Sequence, residues 1–194
     1  MNHDQYDDNY IRGILNSVKS IAMVGASPVN VRPSYFAFKY LAQRGYDMIP
    51  VNPGHVGKDL LGKPFVGSLA DIGRPVDMID IFRNSSHIMP VVEEALKLPT
   101  PPKVIWMQLG GRDDAAAAKA EAAGIKVVMN RCPKIEYGRL SSEIAWMGVN
   151  SRTLSSKRAP IPVQGMRLSL NRVSVGGGAT SASDRAVKDK TELT

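Results

Sequence analysis

The chain has 194 residues, 43% of them apolar, and a formal charge of +7. That length and apolar share suit one globular core with an appendage; no apolar run approaches the roughly 20 residues that cross a bilayer, and the acidic start Met1-Asn2-His3-Asp4-Gln5-Tyr6-Asp7-Asp8 lacks the basic lead of a secretory signal, so a cytoplasmic location and no membrane partner are expected. Cys132 is the only cysteine, and His3, His55 and His87 are widely spaced, which excludes an intrachain disulfide and a multi-thiolate metal site.

In residues 6–19, Ile11, Leu15 and Val18 recur at helical spacing, predicting an amphipathic opening helix that packs on a sheet or on a second subunit. A strand is expected over 20–25, running into Gly25-Ala26-Ser27, and Pro33 then opens a helix, where its missing N–H costs nothing. Glycine at a buried strand end permits close backbone approach, and helix N-terminal amides face an anion, so this loop reads as a phosphate cradle. The dinucleotide fingerprint would need further glycines where Ser27 and Asn30 stand.

The next strand, 46–51, ends in Asn52-Pro53-Gly54, without the carboxylate that holds ribose hydroxyls in NAD enzymes. A more heavily phosphorylated nucleotide fits that tip better. Residues 54–76 hold too many Gly and Pro for a full crossover helix, leaving one short turn at Ser68 to Ile72. Strands follow at 77–82, 103–108 and 125–129, with helices over about 86–98 and 113–124 between them. Strands that are apolar nearly throughout and alternate with helices predict an α/β fold: a Rossmann-like, doubly wound parallel sheet of about five strands. Ligands of such sheets sit at the carboxyl ends of the strands.

Residues 1–148 form the expected domain, and 149–194 a basic, largely irregular C-terminal tail. The tail holds eight Lys or Arg against three Asp or Glu, and so +5 of the total charge. Met166, Leu168 and Leu170 alternate with polar residues, compatible with a short docked strand. A basic tail attracts phosphates or a protein partner, but few aromatics and no helix-turn-helix pattern argue against nucleic acid.

Val24-Gly25-Ala26-Ser27, Arg32-Pro33-Ser34, Val51-Asn52-Pro53, Gly62-Lys63-Pro64, Val76-Asp77, Phe82-Arg83, Val104-Ile105-Trp106-Met107-Gln108, Ala123-Gly124-Ile125 and Arg131-Cys132 occur in one order and register. Over about residues 10–140 the chain thereby resembles the small bacterial CoA-binding proteins, whose domain is similar to the CoA-binding domain of the succinyl-CoA synthetase alpha subunit. The resemblance implies a Rossmann domain holding coenzyme A or an acyl-CoA. Backbone amides around Ala26 and Ser27, with the Ser27 hydroxyl, would hold the diphosphate, and Gly25, Pro33 and Ser34 belong to the same cofactor-binding set. Arg32, Arg83 and Lys58 would supply counter-charge, Arg being suited to bidentate phosphate contact. Val51, Asn52 and Pro53 would border the adenosine, Phe82, Trp106 and Gln108 the adenine or pantetheine, and Cys132 the sulfur end.

No Ser-His-Asp set, paired catalytic carboxylates or Cys-His pair is evident, so a non-catalytic binding or sensing role is the first expectation. A small NAD(P)-dependent oxidoreductase and nucleic-acid association through the tail are the alternatives. A homodimer through the opening helix or the tail is compatible with the pattern.

Overall fold

In a computed structural model of the chain, residues 1–141 are described. The tail expectations, including the strand around Met166 to Leu170 and the boundary at 148, lie outside them. The elements in order are α1 (Asp8–Ser17), β1 (Ser20–Val24), α2 (Pro33–Gln43), β2 (Asp47–Val51), β3 (Asp59–Leu60), β4 (Lys63–Pro64), β5 (Met78–Ile81), α3 (Ile88–Leu96), β6 (Val104–Met107), α4 (Asp114–Ala122), β7 (Lys126–Val128) and α5 (Pro133–Leu140).

Five strands form one parallel sheet in the order β2-β1-β5-β6-β7. Its pleat divides the apolar side chains between two layers. Ile21 and Met23 of β1, Met78 of β5 and Trp106 of β6 pack with Ile14 of α1 and Phe38 of α2. Ala22, Ile79, Ile105 and Val127 face the other way, against Val92 of α3 and Ala116 of α4. Helices thus cover both faces of a sheet whose strands are almost wholly buried, which makes the fold Rossmann-like and doubly wound.

Where a third parallel strand would extend the sheet beyond β2, the breaker-rich stretch supplies a two-residue hairpin, β3 and β4, and a single parallel bridge from Val66 to Val51. Its glycines and prolines forbid a crossover helix, and only a turn of 3-10 helix forms at Ala70–Ile72. The strand order reverses between β1 and β5, because β1 pairs with both β2 and β5. Chains leave those two strands in opposite directions and open a crevice at their carboxyl ends.

Local signals place the helix starts. Asp7 caps α1 by accepting from the Asn9 N–H at 2.8 Å, and Asp113 caps α4 by accepting from Ala116 at 2.9 Å. At α2 the capping position is Arg32, whose side chain donates only, and Pro33 follows. Among the described residues, no side chain at this capping position accepts from the first amides of α2. The opposite edge of the sheet is tied by Asp77, which accepts from the backbone of Lys19 and Ser20 and pairs with Lys103 at 2.7 Å. Burial opposes ionisation there, yet these donors hold its carboxyl down at about 2.

Candidate functional site

The crevice beside β1 contains two connected hollows. The first, about 410 Å³, is lined by Gly25, Ser27, Arg32, Ser34, Asn52 and Arg83. The second, about 600 Å³, runs between the starts of α2 and α5, past Val31, Phe36, Gln108, Leu109, Cys132 and Lys134. Pro33, Phe82 and Arg83 border both, so the two make one continuous groove. Another hollow, about 250 Å³ between Leu69 and Thr100, lies at the amino ends of the strands, away from this chemistry.

Gly25 anchors the polar end. Its φ is +86°, and an added Cβ would overlap the Phe82 carbonyl oxygen and come within 3.1 Å of Arg83 Nε. Glycine is required here by the left-handed backbone and by the close approach of the end of β5, a reason that involves neighbouring protein before any ligand. The Gly25 N–H donates to Val51 O at 2.9 Å, and the Asn52 side chain donates to Ala26 O at 2.8 Å. Asn52 Oδ1 also accepts from the Gly54 N–H. Asn52 therefore fastens the loop after β1 to the loop after β2, so its side chain shapes the cradle as well as bordering it.

Ser27 Oγ accepts from the Val29 N–H at 3.2 Å, leaving the hydroxyl proton to donate. Among the described residues, Arg32, Arg83 and Lys134 carry the only charges on the two lined walls, and all three are positive. Among the described residues Arg32 and Arg83 have no carboxylate partner, whereas Arg112, Arg131 and Arg139 elsewhere are ion-paired. Unpaired guanidinium groups beside an uncapped helix start favour an anion.

The second hollow is more apolar. Val31 is 74% exposed and Phe36 50%, forming a bare lip over its mouth. Its floor holds a buried polar pair, in which Gln108 Nε2 donates to both carboxyl oxygens of Asp80, at 2.9 and 3.1 Å. Burial pushes the Asp80 carboxyl up to about 8, against the pull of Gln108. Cys132, the capping residue of α5, is also mostly buried, and burial raises its thiol above the ordinary range.

The sequence-predicted residues divide clearly. Gly25, Ser27, Arg32, Pro33, Ser34, Asn52, Phe82, Arg83, Gln108 and Cys132 line the groove. Ala26 and Val51 are buried and bear on it through backbone carbonyls bonded to Asn52 and Gly25. Pro53 starts an exposed 3-10 turn, and Lys58 is exposed in the turn beyond it; neither lines the hollows. Trp106 is not brought to the groove: it is fully buried on the α2 face, and its indole donates to Arg131 O at 2.8 Å. Sequence reasoning missed Phe36, Lys134 and Ile135 on the wall, and Asp80 beneath it. The Pro133 start of α5, directly after Cys132, was the available signal for Lys134 and Ile135.

Residues 19–138 match the family model described as the CoA binding domain. The chain is 35% identical over 127 residues to the uncharacterized protein YneT of Bacillus subtilis (strain 168), a span that covers 66% of this chain and 91% of YneT. Among solved structures it is similar to a Thermus thermophilus protein, with 38% identity, a TM-score of 0.66, and coverage of 70% of this chain and 99% of that one. A hypothetical protein from Pyrococcus horikoshii OT3 gives 38% identity, a TM-score of 0.67, and coverage of 73% and 96%.

Proposed function

The chain belongs to the CoA binding domain family, and from that premise we propose that it holds coenzyme A, or an acyl-CoA, along the groove at the carboxyl ends of β1, β5 and β6, as a binding or sensing module. The observation that carries this reading is the groove's division into a cationic end and an apolar end. Coenzyme A has the same division: a diphosphate with a further phosphate on the ribose, then a long pantetheine arm. The diphosphate belongs at Ala26, Ser27 and the open start of α2, with Arg32 and Arg83 on its oxygens. The adenosine extends toward Asn52 and Pro53, where Lys58 supplies charge for the ribose phosphate. The arm crosses Phe82 and enters the second hollow, so that its thiol ends near Gln108 and Cys132. Val31 and Phe36 give an acyl group an apolar surface to leave along.

The tip of β2 favours this ligand over a nicotinamide dinucleotide. It presents Asn52, whose side chain is already bonded on both ends, where ribose recognition by NAD enzymes uses a carboxylate. Calorimetric titration with CoA, 3′-dephospho-CoA and NADH tests the reading. CoA should bind most tightly and dephospho-CoA more weakly; no CoA binding, or a preference for NADH, overturns it.

A further inference from the structure

A residue that never reaches the groove surface controls what one end of the groove reads. Asp80 lies in the middle of β5, fully buried, paired with Met23 of β1 on one side and Trp106 of β6 on the other. Every other side chain of β5 is apolar. A carboxyl in such a place is costly unless it is bonded. Its hydrogen-bond partner is the Gln108 carboxamide, which lies just beyond the end of β6, is 6% exposed and lines the larger hollow.

The pairing fixes which way the carboxamide points. Both carboxyl oxygens of Asp80 lie within hydrogen-bond distance of Gln108 Nε2. The ionised carboxylate offers only acceptors, and both of its oxygens lie against Nε2, so in that form Asp80 turns the nitrogen end of the carboxamide inward. Oε1 is left at the other end of the amide and has no protein donor among the described residues. It is not among the buried polar atoms lacking a partner, which among the described residues comprise His55 Nδ1 alone, so it opens to the groove.

We propose that Asp80 is a positioning residue, which turns Gln108 so that Oε1 faces the groove and accepts a hydrogen bond from an amide N–H of the bound ligand's pantetheine arm. The proposal rests on the CoA reading above and adds to it how the arm is recognised. A free or substituted arm carries two secondary amides, each with one N–H to place, and the walls of the larger hollow are otherwise mostly apolar. An acceptor held from below costs no reorganisation when the arm arrives.

The test separates the arm from the head. Adenosine 3′,5′-bisphosphate carries the ribose phosphate and the first phosphate of the diphosphate, and no arm; CoA carries the whole head and the arm. Asp80→Leu takes both acceptors away, so in titrations at pH 9, where the native Asp80 is ionised, the carboxamide is no longer held with Oε1 toward the groove. CoA should then bind about tenfold more weakly, the size of one hydrogen bond of about 1.4 kcal/mol, while the bisphosphate keeps its affinity. Reversing the pair, Asp80→Asn with Gln108→Glu, restores an acceptor on the groove side and should recover CoA binding. Because the double variant returns a donor–acceptor match beneath the groove, it also serves where Asp80→Leu alone fails to fold. Equal loss for CoA and the bisphosphate, no loss for either, or no recovery in the double variant overturns the proposal. Failure of the unmutated protein to bind CoA at all overturns the CoA reading itself, and is distinct from those outcomes.

Discussion

Replacing Gly25 by Ala should cost far more than the same change at Gly45, although the two glycines have nearly the same backbone, with φ of +86° and +87°. An L-residue in the left-handed region costs roughly 1–2 kcal/mol. At Gly45 nothing lies within 4 Å of an added Cβ, so that is the whole effect. At Gly25 the methyl also overlaps the Phe82 carbonyl oxygen, and relief requires the ends of β1 and β5 to part. Overpacking of this kind adds roughly 1–3 kcal/mol, so Gly25→Ala should lose about 3 kcal/mol in all. With a urea dependence of about 2 kcal/mol/M, the two variants should differ by about 1 M in unfolding midpoint. Gly25→Ala should also weaken CoA, because the displaced strand end carries Phe82 and Arg83. Equal midpoints for the two variants would refute the argument that the β1–β5 approach demands glycine.

Arg32→Ala and Arg83→Ala should each weaken CoA about tenfold, the scale of a hydrogen bond to a charged group, and each should flatten the salt dependence measured by calorimetry; a change confined to stability would remove them from the site. Asp80 bears on pH: its native carboxyl is raised to about 8 from an ordinary 3.8, so the native state keeps a proton that the unfolded chain has released. Its contribution is intact below the unfolded value, is lost as pH rises through that window at up to about 1.4 kcal/mol per unit, and changes no further above it. Urea titrations of the protein and of Asp80→Asn across that range should show the variant gaining relative stability as pH rises; a constant gap would contradict this. Cys132, buried and raised, should react slowly with iodoacetamide at neutral pH, faster in base, and more slowly again when CoA is present. Alkylation unaffected by CoA would place the arm elsewhere.

The sheet was legible because parallel strands buried on both faces leave apolar runs too uniform to mistake, as in Ile21 to Val24 and Val104 to Met107. The polar end of the groove was equally legible, since a strand-end glycine before Arg32-Pro33 names both the turn and the helix start. The arm end was not. Helix α5 is eight residues long with Gly138 inside it, too short and too polar for periodicity to reveal. Trp106 and Gln108 sit two residues apart, and the sequence offers no way to tell that one is locked in the core by the Arg131 carbonyl while the other reaches the groove. Asp80 is one polar residue in an otherwise apolar strand, and only the fold shows that its partner is a groove residue 28 positions away.

In the proposed complex, coenzyme A lies along this groove with its diphosphate at the open start of α2 and its arm toward α5. Titrating isotopically labelled protein with CoA and following backbone amide resonances tests it most directly. CoA should shift Ala26, Ser27, Ser34 and Arg83, together with Gln108, Leu109 and Ile135, whereas adenosine 3′,5′-bisphosphate should move the first group and spare the second. Saturable binding that leaves Ala26 to Ser34 unmoved and shifts another surface would contradict it.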